Sequence, residues 1–314
     1  NGFVQNIDQY GWMRLIAGIG LAGELGAGIT LVSETLPKEK RGYGTMIIAT
    51  VGVSGAMVAY WVGETFGWRN AYFIGGGLGL ALLLLRAGVF ESGMFEETKK
   101  SEVKRGNFLS LFTNAARLSK YIRCLLVGVP FWFLAGILIT LAPEFGKAFN
   151  LQGPVTGGLS IFWCYFGLTL GDFTSGGLSQ LFKSRMRTLQ MFILASAVAV
   201  SYYLFGLHGA STTMFYTACF FVGYAGGFWA LFVTVSAEEF GTNIRSTVAT
   251  TAPNFARGAL VLITIVFKFL KGKPSLGLVG AAAIIGAVLL VLAFISASTL
   301  PETYGKDLDY VEED

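Results

Sequence analysis

Three ionisable side chains lie well within long apolar runs of this sequence, where a charge is costly. Glu24 lies in the middle of one run, Asp172 in a second and Arg257 in a third. A charged group at the centre of a bilayer costs about 2.5 to 3.5 kcal/mol on insertion scales, so such groups usually face a protein interior or an aqueous path. A buried carboxyl group can take up a proton, and a guanidinium binds carboxylate or phosphate through two hydrogen bonds. These residue types therefore predict a path for a proton and an anion.

Polar residues flank two of these charges at helical spacing and so share one face of each helix. The two faces carry Thr247, Thr250, Asn254 and Arg257, and Tyr165, Thr169, Asp172 and Ser175. Two polar stripes on otherwise apolar helices predict one shared cavity. We expect Arg257, Asn254 and Tyr165 to contact a small-molecule substrate there. Trp132, which stands near the kink-forming Pro130, completes the predicted set.

Each of the three charges also has a structural interpretation. Glu24 could bond a neighbouring helix, and Asp172 and Arg257 could form a buried ion pair. The functional hypothesis assigns proton coupling to Glu24 or Asp172 and the binding of an anion to Arg257, because a guanidinium stays charged and needs an anionic partner.

The composition is that of an all-α polytopic membrane protein. Of 314 residues, 54% are hydrophobic, only 13% are charged and 42 are glycine, which is far from the average of soluble domains. A spanning helix needs roughly 20 apolar residues. Nine segments meet this requirement, at about 13–35, 43–65, 70–90, 121–142, 156–180, 188–206, 212–236, 246–270 and 275–298.

Several functional classes find no support in the sequence. Cys124, Cys164 and Cys219 lie inside apolar runs without metal-ligand or disulfide spacing, and His208 is the sole histidine. No Ser/His/acid set or metal cluster can be assembled from these residues. We expect no enzyme activity, no cofactor, no metal and no nucleic-acid partner. The expected partners are a small molecule, a proton and the lipid bilayer, and the protein is expected to be a monomer.

Lys and Arg residues concentrate on one side of the predicted spans. That side carries the loops after the first, third, fifth and seventh spans and the C-terminus, so it is predicted to be cytoplasmic in a cell membrane. The polar stretch 91–120 separates two groups of spans. We therefore divide the chain into a helical bundle over 1–90, a cytoplasmic linker over 91–120, a second bundle over 121–298 and a cytoplasmic tail over 299–314.

The first predicted span and the loop after it have a counterpart in the second half of the chain. The matched pairs are Gly23 and Gly227, Thr30 and Thr234, Glu34 and Glu238, and Arg41 and Arg245. Parallel repeats of six spans are a standard plan of transporters. Within the second group of spans, three spans at 121–206 precede the second copy, whereas almost nothing precedes the first. We therefore expect about 80 to 90 further residues, three spans at this spacing, upstream.

The run Arg14, Gly18, Gly23-Glu24, Glu34, Pro37 and Arg41-Gly42 resembles helix 4 and the following loop of the major facilitator superfamily. The Gly23-Glu24 pair resembles the metabolite:proton symporter branch, and Pro301-Glu302-Thr303 is similar to the segment after helix 12 of sugar porters. The resemblance implies the major facilitator fold, with nine of twelve transmembrane helices, helices 4 to 12, present in this chain.

The resemblance also implies a set of gating residues. Glu34 lies at a helix end seven residues before Arg41, and Glu238 stands in the same relation to Arg245. We expect these pairs to act as cytoplasmic ion-pair latches during alternating access; the alternative is a surface ion pair worth about 0 to 1 kcal/mol. Arg185 belongs to the loop between helices 8 and 9, where Gln180 replaces the acid of the family pattern, so the closure of that half is in question.

The sequence as a whole predicts a secondary active transporter. The expected activity is proton-coupled symport of a small polar, anionic metabolite by alternating access. The alternatives are a sugar or polyol porter, which the tail favours and Arg257 does not, and a nutrient sensor that keeps the fold without turnover.

Overall fold

The computed structural model describes residues 1–37, 40–86 and 106–312. All regular structure in these ranges is helical, as the sequence predicts. The N-terminal half consists of α1 (Ile7–Leu21), α2 (Glu24–Thr35), α3 (Arg41–Phe66) and α4 (Trp68–Arg86). Residues 91–105 of the predicted linker lie outside the described ranges.

The C-terminal half begins with the last part of the predicted linker. Its elements are α5 (Ser110–Thr113), α6 (Ala115–Phe133), a π-helical segment (Leu134–Ile139), α7 (Ala142–Ala148), α8 (Gly157–Leu181), α9 (Arg185–Phe205), α10 (Thr212–Ala225), α11 (Trp229–Glu238), α12 (Thr242–Lys271) and α13 (Gly277–Thr299). The predicted span at 121–142 begins earlier, at Ala115, because the Asn114 side chain accepts hydrogen bonds from two backbone N–H groups and caps the helix there. Pro130 lies inside α6, just before the π-helical segment, as expected where a proline removes a helical hydrogen bond.

Eight helical segments in the described ranges are long and apolar enough to cross a membrane. The ninth predicted span, at 156–180, is also a helix of 25 residues, α8, and at 1.5 Å per residue it reaches about 37 Å. Its hydropathy is lower than that of the other eight because glycines and polar residues, among them Asp172, replace aliphatic side chains. The length of α8 therefore suits a membrane helix, while its composition suits a helix inside a bundle.

Two of the predicted spans are broken in the middle, which the sequence analysis did not predict. The span at 13–35 forms α1 and α2 with a turn at Ala22 and Gly23, and the span at 212–236 forms α10 and α11 with a turn at 226–228. The two turns fall at matched positions of the repeat, Gly23 and Gly227. We call them the first break and the second break.

Glycines let α8 and α10 touch backbone to backbone. A Cβ atom placed on Gly167 would lie 2.0 Å from the carbonyl oxygen of Phe220, and one on Gly223 would lie 1.8 Å from the carbonyl oxygen of Cys164. Small residues are the usual means of close helix contact in membranes, where lipid supplies no hydrophobic drive between helices. The C-terminal half therefore contains a tightly packed pair next to the second break.

In the described ranges, two pairs of helices cross closely where the two halves meet. A Cβ on Gly26 of α2 would lie 2.6 Å from the Thr250 Cα of α12, and one on Gly176 of α8 would lie 2.5 Å from the Met46 Cγ of α3. Both contacts need a glycine at the crossing point. Between them they leave a cavity bounded by the first break, α3, α6, α8, α11 and α12.

Candidate functional site: a central cavity and its closed end

The cavity between the halves has a volume of about 620 Å³, within the range of pockets that hold small metabolites. Most of its wall is apolar. The polar and aromatic side chains that line it include Glu24, Trp132, Tyr165, Trp229, Asn254 and Arg257. Five of these six were predicted from sequence, and the polar stripe on α12 does face the cavity, through Thr250, Asn254 and Arg257.

Arg257 is the cation of this cavity. Its guanidinium carbon lies 4.8 Å from the centre of the Trp132 ring, a cation–π contact, and its Nε is buried with no hydrogen-bond partner in the part of the chain that the structure describes. The alternative of an ion pair with Asp172 is not formed in the described part of the chain. A guanidinium in a largely apolar wall attracts an anion, and its planar set of donors matches a carboxylate.

Aromatic rings surround this cation. The Trp132 ring meets the Trp229 ring edge to face, with centroids 5.6 Å apart, and Phe131 lies 5.0 Å from Trp229. The Trp132 Nε1 is buried and, like the Arg257 Nε, lacks a hydrogen-bond partner among the described residues. Together these groups offer flat apolar surfaces next to hydrogen-bond donors.

Trp229 is not among the substrate-contacting residues predicted from the sequence, and the structure places it in the cavity wall. It is the first residue of α11, directly after the second break. The signal that could have found it is the repeat, because Trp229 follows Gly227 as closely as Leu25 follows Gly23. A matched glycine in mid-span marks the point where a broken helix presents its new end to the cavity.

Asn254 does more than line the cavity. Its Nδ2 donates to the carbonyl of Ala22 and to the carbonyl of Thr250, both at 2.7 Å. Ala22 lies in the first break, where a carbonyl group at the end of α1 has no partner within its own helix. Asn254 therefore fastens α12 to the first break, which leaves its Oδ1 as the group that can meet a ligand.

Glu24 is the first residue of α2, and its side chain lines the cavity and is exposed. The N-terminus of a helix stabilises a negative charge, because the N–H groups of the first turn point toward it. Glu24 thus lies where both water and a substrate in the cavity could reach its carboxylate.

Asp172 does not line the cavity, and the expectation that all three intramembrane charges share one hollow is wrong for this residue. Its side chain is completely buried. Its Oδ1 accepts a hydrogen bond from the N–H of Ala230, at 3.0 Å, in the first turn of α11. Ala230 stands in the cavity wall, so Asp172 lies one layer behind it, because the close contact of α8 with the second break covers that face of α8.

The cavity is closed toward the predicted cytoplasmic face, where α3 begins and α8 ends. With its amide oriented to satisfy its neighbours, Gln180 accepts hydrogen bonds through Oε1 from the N–H of Gly42 at 3.0 Å and of Tyr43 at 3.3 Å. Gln180 therefore caps the N-terminus of a helix from the other half of the protein. The neutral side chain makes this closure although it replaces the acid of the family pattern.

The predicted ion pair between Glu238 and Arg245 is wrong, because each of the two side chains has other partners. Glu238 pairs with Arg185 at 3.2 Å and accepts a hydrogen bond from Thr303 at 2.8 Å, whereas Arg245 donates to the carbonyl of Leu308. The tail causes this difference, because it runs across the predicted cytoplasmic face and occupies the space beside Arg245. The predicted pair of Glu34 and Arg41 concerns side chains outside the described part of the structure.

The tail is fixed by hydrogen bonds along its length. Glu302 accepts hydrogen bonds from the Ser184 hydroxyl and from the N–H of Arg185 at 2.8 Å, which caps α9. Burial by itself raises the pKa of Glu302, but the bonds from Ser184 and from backbone N–H groups outweigh it and lower the pKa below its ordinary value. Further along, the N–H of Thr242 donates to the carbonyl of Tyr310 at 2.8 Å.

The fold and the cavity define a class of protein: a helical membrane protein whose two halves enclose a site at mid-span and close it at one end. The described residues contain no group of three or more His, Cys, Asp or Glu side chains that could hold a metal ion. The chain belongs to the Major Facilitator Superfamily, whose family model matches residues 4–264. The family resemblance and the fold predicted from the sequence are thereby confirmed.

Three relatives illustrate what the chain is similar to. A probable 4-methylmuconolactone transporter of Cupriavidus pinatubonensis is 26% identical over 99% of this chain and 73% of its own length. A putative niacin/nicotinamide transporter of Bacillus subtilis is 25% identical over 82% of this chain and 64% of its own length. The sialic acid transporter of Escherichia coli is 28% identical over 36% of this chain and 28% of its own length. All three are named as transporters, and this likeness supports a transport function.

Proposed function

We propose that this protein is a proton-coupled symporter of small, flat monocarboxylates in the cell membrane, with its C-terminus in the cytoplasm. The observation that carries the proposal is the Arg257 guanidinium, which faces a cavity of about 620 Å³ beside Trp132 and Trp229. A carboxylate fits the guanidinium through two hydrogen bonds, and a conjugated ring fits between flat aromatic side chains.

The relatives support the same class of substrate. Niacin is a carboxylic acid on an aromatic ring, sialic acid is a carboxylate as well, and both are small enough for this cavity. Niacin and sialic acid differ in shape but share a carboxylate, the group that Arg257 can bind. We therefore assign the carboxylate of the substrate to Arg257 and the ring of the substrate to the aromatic side chains of the cavity wall.

In the transport cycle that we propose, the cavity opens in turn to each side of the membrane. In the described arrangement α2 packs on α12 and Gln180 caps α3, so the predicted cytoplasmic side is closed. Opening that side requires these contacts to separate, while Arg257 and Asn254 on α12 remain beside the substrate. Either Glu24 in the cavity or Asp172 behind its wall carries the proton, since both carboxyl groups lie near the middle of their spans.

Uptake of radiolabelled nicotinate into proteoliposomes with an imposed proton gradient tests the proposal. The wild-type protein is expected to accumulate nicotinate, and nicotinamide, which has the same ring without the charge, is expected to compete at least tenfold more weakly. Equal competition by nicotinamide would show that the carboxylate is not recognised. Stronger competition by sialate than by nicotinate would favour a sugar-acid porter, and binding without any uptake would indicate a sensor.

Two variants of one residue separate charge from geometry at the anchor. Arg257→Gln removes the charge and is expected to raise the KM for nicotinate at least tenfold. Arg257→Lys keeps the charge but not the planar set of donors, so an intermediate KM is expected. An unchanged KM in Arg257→Gln would rule out the anchor.

A further inference from the structure

The second break is held against α8 by direct backbone contact. A Cβ atom on Gly227 would lie 2.2 Å from the carbonyl carbon of Gly171 and 2.5 Å from the backbone nitrogen of Asp172. The turn at 226–228 therefore rests on the segment of α8 that carries Asp172. Any movement of α11 relative to α10 must pivot at this contact, because the helical hydrogen bonds are interrupted there.

Asp172 connects α8, on which the second break rests, to the first turn of α11. Its Oδ1 accepts the Ala230 N–H at 3.0 Å, while its Oδ2 is buried and has no hydrogen-bond partner among the described residues. Burial without a counter-charge disfavours the carboxylate, whereas the N-terminus of α11 favours it. The charge on Asp172 thus depends on whether α11 keeps its first turn against α8.

No other ionisable side chain on the helices around Asp172, within the described ranges, links α8 to the start of α11. Tyr224 of α10 stacks on Phe220 with ring centroids 6.3 Å apart, and Glu238 at the far end of α11 pairs with Arg185. Tyr165 on α8 itself lines the cavity, as does Arg257 of α12, which contacts Trp132. Glu64 of α3 lies beside Gly158, at the opposite end of α8 from the tail.

The first two turns of α11 form part of the cavity wall. Trp229, Ala230 and Val233 all line the cavity, and all three belong to the first two turns of α11. A shift of this helix end would move the aromatic ring that faces Trp132 and thereby alter the shape of the substrate site. The buried carboxyl group and the cavity therefore lie on opposite sides of the same helix end.

We propose that Asp172 is a positioning residue of the transport cycle, which holds the N-terminus of α11 while ionised and releases it when a proton from cavity water binds Oδ2. The proton leaves Oδ2 for water on the other side of the membrane when α11 returns. Substrate binding and protonation then affect each other, since both act on α11. This inference rests on the proposed function, and it assigns the proton to Asp172 rather than to Glu24.

Asp172→Asn tests the inference, because an amide keeps an acceptor for the Ala230 N–H but does not ionise. In proteoliposomes the variant is expected to lose proton-driven accumulation of nicotinate at least tenfold, while nicotinate exchange without a gradient stays within about threefold of wild type. Glu144→Gln, the matched neutralisation of an exposed acid of α7 away from the cavity, is expected to keep accumulation. Wild-type accumulation by Asp172→Asn, or its loss in Glu24→Gln alone, would overturn the inference.

A second measurement needs no variant and no transport. Infrared spectra of the wild-type protein with ¹³C-labelled aspartate are expected to show, on acidification, a carboxylic acid band at the high frequency of a weakly hydrogen-bonded group. Asp8, Asp307 and Asp309, which are exposed, absorb at lower frequency. If no such band appears while the protein stays folded, Asp172 does not take up a proton. If wild-type protein shows the band but transports nothing, the proposed function fails and the titration of Asp172 stands.

Discussion

The two breaks lie at matched positions of the repeat, yet the neighbouring helices hold them in different ways. At the first break, Asn254 binds the Ala22 carbonyl at the end of α1, and Glu24 at the start of α2 faces the cavity. At the second break, Asp172 binds the Ala230 N–H at the start of α11 and is completely buried. The first break is thus held through a backbone carbonyl and has its carboxyl group in the cavity, whereas the second is held through a backbone N–H by a carboxyl group that is buried.

The difference teaches how a repeated sequence can serve two roles. The first break exposes a carboxyl group to the cavity, where a substrate and water can reach it. The second break encloses a carboxyl group where only a movement of α11 changes its surroundings. The predictions below test this contrast, beginning with the largest expected effect.

The largest effect is expected for alanine at the glycine of the second break. Gly227→Ala places a Cβ 2.2 Å from backbone atoms of α8, which cannot move without separating the two helices, so we expect about 3 kcal/mol of destabilisation. Gly23→Ala is the matched control, since no described atom lies within 4 Å of its Cβ. In thermal unfolding in detergent, the melting temperature of Gly227→Ala should be far below that of wild type, and the melting temperature of Gly23→Ala should be close to that of wild type. Equal melting temperatures for the two variants would mean that the breaks are packed alike.

The next largest effect is expected where α2 crosses α12. A Cβ on Gly26 would lie 2.6 Å from the backbone of Thr250, so Gly26→Ala should push the halves apart at a cost of about 1 to 3 kcal/mol. We expect nicotinate uptake to fall at least tenfold, because the predicted cytoplasmic side no longer closes. Gly18→Ala on α1, with no described atom within 4 Å of the added Cβ, is the control. Normal uptake by Gly26→Ala would show that this crossing is not part of the closure.

A smaller effect is expected for the side chain that holds the first break. Asn254→Ala removes hydrogen bonds to the Ala22 and Thr250 carbonyls and should cost about 1 to 2 kcal/mol, measured as a lower melting temperature. Asn70→Ala on α4, which removes an exposed hydrogen bond to the Phe66 carbonyl, should change little. An unchanged melting temperature with a raised KM for nicotinate would assign Asn254 to the substrate instead of the break.

The smallest effect concerns the far end of the second copy, where Glu302 of the tail caps α9. The folded protein lowers the pKa of this carboxyl group below its ordinary 4.5, so the stability it contributes is present above that pH and is lost as the pH falls through the lowered value. Glu302→Gln should cost about 1 kcal/mol at neutral pH.

The pH dependence of unfolding provides the control for Glu302. The difference in melting temperature between wild type and Glu302→Gln should shrink as the pH is lowered below 4.5. Glu144→Gln, at an exposed residue of α7, should match wild type at every pH. A difference that grows toward acidic pH would contradict the sign of the pKa shift.

Much of the fold could be predicted because membrane helices follow composition and length. The helical class, the family and eight spans agree with the sequence-based prediction, since backbone groups in lipid must bond within their own helix. The breaks were missed because the hydropathy of 13–35 and 212–236 is continuous across them. A turn of two or three residues lowers the mean hydropathy of a span only slightly, and here only the matched Gly23 and Gly227 indicated where the two turns lie.

The site could be predicted in part. Arg257, Asn254, Tyr165, Trp132 and Glu24 line the cavity as predicted, because polar residues on an apolar helix must face one another or water. Asp172 was placed on the wrong side of the wall, and the partners of Glu238 were wrong. In both cases the deciding neighbour comes from a distant part of the chain: α11 for Asp172, and the tail for Glu238.

The sequence by itself determined which segments are helices, where the charges lie along them and that the chain repeats. Those properties depend on short-range periodicity and on the energy of placing side chains in lipid. Only the tertiary structure decided which charge meets the cavity and which is buried behind α11, because that depends on which helices the glycines allow to touch. The two breaks share a sequence pattern, and their different neighbours give them their different chemistry.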